Sequence, residues 1–176
     1  MKSAPRAVLL TGGRGIGKTT LCMSLAQNSH AFSGLASPSR VDQQGRKIGF
    51  QGLCLETGER WELARSDISL GGPMMGKYSF SAEGIERAVR CIARALDGTK
   101  KTVVVDEIGP LEIDKGMGYA PILPLLARAR DLLLVVRAEL VSRLAECVPD
   151  HRCQVFTLTL ETRDALGSRI QKFLEA

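Results

Sequence analysis

The chain has 176 residues, 44% hydrophobic and 24% charged, with a formal charge of +5. That length predicts one domain, residues 1–176, with its own core, and the composition fits neither a disordered nor a membrane-spanning chain. Lys and Arg are spread along the sequence and only 5% of residues are aromatic, which argues against nucleic acid as a partner and suits a small anionic ligand. After Met1 to Arg6 the apolar run Ala7 to Leu10 is too short for a signal-peptide core or a membrane span, so a cytoplasmic protein is expected. The five cysteines, Cys22, Cys54, Cys91, Cys147 and Cys153, are odd in number and mostly far apart, and reduced thiols are expected of them.

In chain order, Arg6 to Thr11 reads as a short buried strand running directly into a glycine-rich loop. A helix follows, with Leu21 and Leu25 facing the strand layer and Cys22 and Ala26 beside them. From Ala31 to Arg65 turn residues separate short extended pieces, Lys47 to Leu55 and Arg60 to Ala64 among them, which predicts a β-meander inserted after the first helix. Asp67 to Lys77, with Gly71-Gly72-Pro73 and Gly76, reads as a loop able to close over a ligand. Ile85, Ala88, Val89, Ile92, Ala93 and Leu96 recur at helical spacing until Gly98. Thr102 to Val105 is a strand of the type buried on both faces, ending on Asp106 and Glu107. A helix is predicted over Ala120 to Ala129, then strand Leu132 to Val136, helix Ala138 to Cys147, strand Gln154 to Leu158 and a helix from Thr162 with Leu166, Ile170, Phe173 and Leu174 on one face. Alternation of strands and helices implies an α/β domain with a mostly parallel sheet covered on both sides.

The loop Gly12-Gly13-Arg14-Gly15-Ile16-Gly17-Lys18-Thr19-Thr20 contains the full Walker A spacing, between a strand and a helix as the motif requires. Glycines let successive N–H groups wrap phosphates, and the helix start adds the positive end of its dipole. Lys18 is expected to neutralise β- and γ-oxygens, and the Thr19 hydroxyl to ligate Mg²⁺. Asp106 and Glu107 follow three valines in the manner of a Walker B strand. Asp106 is then the second Mg²⁺ residue and Glu107 the group that polarises an attacking water.

Asp106-Glu107-Ile108-Gly109 also fits the D-x-x-G of regulatory GTPases, but the guanine-reading N-K-x-D motif needs an Asn, and the only one, Asn28, precedes Ser29-His30. Phosphoryl transfer calls for a further cation, for which Arg14, Arg65, Lys77 and Arg137 are candidates. Trp61 could stack on a base, though packing against the meander is its commoner fate. Cys147, Asp150, His151 and Cys153 place soft ligands together but lack the paired spacing of a structural zinc site.

Beyond the generic loop, five segments together resemble one family, the cancer-related nucleoside-triphosphatases. They are Gly15-Ile16-Gly17-Lys18-Thr19-Thr20-Leu21, Gly45-Arg46-Lys47-Ile48-Gly49-Phe50, Leu63-Ala64-Arg65, Gly76-Lys77-Tyr78 and Asp106-Glu107-Ile108-Gly109-Pro110-Leu111-Glu112. The resemblance implies a RecA-like fold and slow, Mg²⁺-dependent hydrolysis of several nucleoside triphosphates, ATP, GTP, CTP and UTP, to the diphosphate and phosphate. Arg14, where a small residue or Pro is expected, and Trp61-Glu62 depart from the pattern. Two other readings stand beside hydrolysis: a P-loop kinase with Arg137 and Arg143 in a lid, and a nucleotide-dependent switch with Gly71 to Lys77 as its moving segment. No protein partner is named by the sequence.

Overall fold

The structure is a computed structural model and describes residues 4–176; Met1 to Ser3, the start of the leading segment, lie outside the described residues. Ten strands form one sheet: β1 (Arg6–Gly12), β2 (Phe32–Ala36), β3 (Ser39–Val41), β4 (Lys47–Cys54), β5 (Arg60–Arg65), β6 (Gly71–Met75), β7 (Tyr78–Ser81), β8 (Thr102–Ile108), β9 (Asp131–Val136) and β10 (Arg152–Leu158). The order is β10-β1-β9-β8-β2-β4-β5-β7-β6, with β3 on β4. From β10 to β2 every pairing is parallel, and from β2 outward every pairing is antiparallel. This is a RecA-like α/β arrangement with an antiparallel extension.

The helices are α1 (Lys18–Asn28), α2 (Ala82–Asp97), α3 (Pro110–Ile113), α4 (Val141–Ala145) and α5 (Arg163–Glu175). Strand alternation divides the apolar residues between the two faces of the sheet. Ala7, Leu9, Val103, Val105, Leu132 and Leu134 pack with α2 on one face. Val8, Leu10, Val104, Leu133 and Val135 pack with α1 and α5 on the other. The central strands bury both faces, which is why they read as unbroken apolar runs. In α2, Gly84, Ala88, Cys91, Ile92 and Ala95 turn inward, and the Ser81 hydroxyl caps the helix by accepting the Gly84 N–H at 2.9 Å.

Four expectations are corrected. The segment Phe32–Ala36 belongs to the parallel sheet, between β8 and β4, so the meander begins after β2 and not directly after the first helix. Its Ser and Gly hide a central strand: a Cβ on Gly34 would lie 2.3 Å from the Val104 carbonyl oxygen, so the close approach of β8 demands glycine. The loop expected at Asp67 to Lys77 folds as a hairpin, β6 turning into β7 through Gly76-Lys77, with Met75 opposite Tyr78. Ala120–Arg128 is 3₁₀ in geometry; Pro121 and Pro124 supply no N–H for a longer α-helical ladder. The helix expected over Ala138 to Cys147 shrinks to one 3₁₀ turn, Ala138–Leu140, and the short α4.

Candidate active site

The parallel strands deliver their loops to one edge, and the phosphate-loop strand β1 and the acid-bearing strand β8 are separated there by β9. Two strand spacings put about 10 Å between them. Gly12 ends β1 with φ +145°, and a Cβ there would meet the Leu158 carbonyl oxygen of β10 at 2.6 Å. Gly17 caps α1 at φ 109°, no side chain caps that helix, and its first turn holds no acid. Its early N–H groups are therefore aimed at the loop without a competing carboxylate.

The Lys18 ammonium donates to the carbonyls of Gly12 and Gly13, each at 2.8 Å, which holds the charge over the loop and leaves one of its three donors unspent. Ile16 is half-buried against the α1 face of the core and seats the loop, while Gly13, Arg14 and Gly15 are exposed. Thr19 is half-buried and Thr20 exposed at the start of α1.

Asp106 follows Val105 on the strand and so points to the α1 face, on the side of Thr19, whose hydroxyl favours its ionised form. It is 2% exposed and accepts the Ser37 N–H at 3.0 Å; the Ser37 hydroxyl donates to the Asp106 carbonyl. Burial pushes the Asp106 carboxyl up to about 6, against the Ser37 and Thr19 donors; Glu107 adds to the rise and Lys18 opposes it. The Asp106–Glu107 peptide is cis, and the β8–β9 register shifts between Val105 and Ile108. A bulge of this kind re-aims side chains at a strand end.

Glu107 remains partly exposed, with Arg137 Nε 3.4 Å from its Oε1. Arg137 follows β9 directly and therefore stands between the loop strand and the acid strand. Glu112 is turned away to a structural task. Its carboxylate accepts N–H groups from Gly109 at 2.8 Å and Tyr119 at 3.2 Å, and burial raises its pKa.

The other predicted cations separate. Arg65 is held by Asp67 at 2.6 Å and Glu62 at 3.3 Å, and Arg143 by Asp114 and the Ile113 carbonyl, so neither is free to serve phosphate. Lys77 sits at the hairpin tip with its ammonium 5.4 Å from the Tyr78 ring. Trp61 is 7% exposed and donates its indole N–H to the Gly84 carbonyl at 2.9 Å, which commits it to packing. His151 is buried with Nε2 at 3.0 Å from the Ala129 carbonyl, while Cys153 is exposed.

Two residues had no assigned role in the sequence. Lys47, first in β4, lies with its ammonium 3.9 Å from the Phe50 ring, and Phe50 packs on Tyr78 at 5.0 Å between centroids. Desolvation holds the Lys47 pKa below its ordinary value, with Glu107 and Asp106 pulling it up and Arg14 and Lys77 pushing it down. The antiparallel extension thus places a cation within electrostatic range of the acid pair from outside the parallel sheet. Ser37 is the other, and it had no signal, since the strand before it was itself hidden.

The profile of the family described as NTPase matches residues 7–171. The chain is 36% identical over 175 residues to the nucleoside-triphosphatase THEP1 of Methanopyrus kandleri, covering 94% of this chain and 93% of that protein. The crystal structure of THEP1 from Aquifex aeolicus superposes with a TM-score of 0.76 at 19% identity, covering 97% of this chain and 99% of the other, which speaks to the fold. The solution structure of a human cancer-related nucleoside triphosphatase gives 0.69 at 25% identity, with 97% of each chain covered. With a glycine-rich loop and an acid pair on strands separated by β9, and a family match along nearly the whole chain, the protein belongs to the nucleoside-triphosphatase family and is an enzyme acting on nucleoside triphosphates.

Proposed function

We propose that the enzyme hydrolyses nucleoside triphosphates to the diphosphate and phosphate in a Mg²⁺-dependent reaction, with little discrimination among ATP, GTP, CTP and UTP. The observation that carries this reading is the division of labour between the two strand-end acids. Asp106 is buried and held by Ser37, whereas Glu107 is partly exposed beside Arg137.

The donor set suits Mg²⁺. Thr19 and Asp106 offer hard oxygens on the same side of the sheet, and Mg²⁺ takes one or two protein ligands beside phosphate and water. The raised pKa of Asp106 points the same way, since a carboxylate that burial makes reluctant to ionise gains most from a divalent cation. Held by Thr19 and Asp106, Mg²⁺ would supply neutralisation of the phosphate charge.

The chain's own groups do the rest. N–H groups of Gly13 to Thr20 cradle the phosphates, and the Lys18 ammonium exchanges its loop carbonyls for β- and γ-oxygens. Glu107 accepts a hydrogen bond from the attacking water and orients it. Arg137 and Lys47 offset the charge that spreads over the transferring group, Arg137 from β9 and Lys47 from the extension. Broad base use is supported by the commitment of Trp61 to packing and by the missing guanine-reading motif.

The test is phosphate release from ATP, GTP, CTP and UTP with and without Mg²⁺. Release from all four within about tenfold is expected, because larger discrimination comes from hydrogen bonds built to read the base. Label appearing on an added nucleoside or nucleotide acceptor, or release indifferent to Mg²⁺, overturns the proposal.

A further inference from the structure

On the α2 face of the sheet two thiols converge that the phosphate site does not use. Cys54 ends β4, opposite Leu35 of β2. Cys91 lies on the inward face of α2, its Sγ 3.4 Å from the Gly34 carbonyl oxygen, and the same oxygen accepts the Leu55 N–H at 2.9 Å. One carbonyl thus seats the helix thiol beside the end of the strand, and the two cysteines share one core cluster and line the same cleft.

Their surroundings differ. The chain turns sharply after Cys54, with the Gly58 N–H on the Cys54 carbonyl at 2.8 Å, and the donor groups of Thr57 and Glu56 in this turn favour a Cys54 thiolate. Burial works against a Cys54 thiolate, but those donors and Cys91 outweigh it and hold Cys54 below the ordinary thiol value. Burial drives the Cys91 thiol the other way, with Cys54 and Glu56 adding to the rise and Arg94 opposing it. Both cysteines are 8% exposed and open on a cleft of about 220 Å³ whose rim carries Arg87, Arg90 and Arg94, with Glu59 paired to Arg87.

We propose that Cys54 and Cys91 form an oxidisable dithiol that hydrogen peroxide entering this cleft converts to a disulfide joining β4 to α2. The Cys54 thiolate attacks one peroxide oxygen, the O–O bond breaks, and hydroxide leaves to take up the thiol proton as water; Cys54 becomes a sulfenic acid. Cys91 then attacks the Cys54 sulfur, the S–O bond breaks, and its proton leaves with the hydroxyl as a second water. Two thiols are oxidised and one peroxide is reduced, and no other reactant is needed.

The test treats the reduced full-length chain with hydrogen peroxide, alkylates the remaining thiols and maps the peptides by mass spectrometry. The expected result is an intact mass lighter by two hydrogens and a Cys54–Cys91 linked peptide that dithiothreitol abolishes. Cys22, which is 0% exposed, stays alkylated only after denaturation and serves as the internal control. Cys91→Ser should accumulate a dimedone-trapped sulfenic acid on Cys54, and Cys54→Ser should leave Cys91 reduced at the same dose. If Cys54 and Cys91 both remain free thiols in the wild-type chain, or if a bridge forms at Cys147 or Cys153 instead, the proposal is overturned without reference to any variant. The nucleotide reaction enters none of these readouts.

Discussion

Asp106 and Asp131 lie at opposite ends of neighbouring parallel strands and are almost equally buried, at 2% and 1% exposure, yet their surroundings differ in kind. At the amino end of β9, Asp131 accepts the Arg6 N–H at 3.0 Å and faces the Lys101 ammonium at 3.6 Å. At the carboxyl end of β8, Asp106 has the Ser37 N–H and makes no ion pair among the described residues, while the Lys18 ammonium is held by the loop carbonyls. A buried carboxylate supplied with its own cation ties strands together. One given donors but no ion pair is suited to a cation that arrives with the ligand.

The largest effect expected of this contrast is at the carboxyl end. Glu107→Gln should lower kcat by about 10²- to 10⁴-fold, the usual worth of a positioned general base, while calorimetry shows nucleotide affinity retained. Unchanged turnover would remove Glu107 from the reaction. At the amino end the effect should fall on stability: Asp131→Ala strands Lys101 and the Arg6 N–H and should cost about 3 kcal/mol in urea unfolding. Turnover per folded molecule should be untouched, and a matching loss of kcat would break the comparison between the two ends.

A smaller effect sharpens it. Lys47→Ala should reduce kcat by about tenfold as a removed transition-state charge, whereas Arg65→Ala, already neutralised by Asp67 and Glu62, should leave kcat alone. Steady-state kinetics of the pair distinguishes a phosphate-facing cation from a structural one. The smallest concerns His151, whose pKa burial holds below its ordinary 6.5, with the Ala129 carbonyl, Asp131 and Asp150 acting against the shift. The unfolded chain then binds the proton first, so this contribution is complete above about 6.5 and is lost as pH falls through the folded-state value. Melting curves between pH 8 and 5 should show that slope, and His151→Asn should flatten it.

The sequence was most legible where the chemistry is local. The spacing from Gly12 to Thr19 determined the loop, because the glycine backbone, Lys18 and the helix start all lie within one stretch of chain. The inward stripe of α2 and the valines of β8 were equally plain. Legibility failed where a partner strand set the requirement. Ser33 and Gly34 read as part of the meander because nothing near them in sequence reveals β8 at their side. The hairpin β6–β7 was hidden by its glycines and Pro73, and the 3₁₀ segment by an apolar pattern that masked its prolines.

The sequence by itself thus determined the glycine-rich loop, the two acids at the carboxyl end of β8 and the α/β class, since each rests on residues adjacent along the chain or on a period within one element. Only the tertiary structure decided which side chains meet them. Ser37 reaches Asp106 across 69 residues because β2 lies beside β8, and strand order brings Arg137 to Glu107 and Lys47 within electrostatic range of both acids. Order in a sheet is settled by which apolar faces pack together, and a cation brought in by that packing leaves no trace in the residues around it.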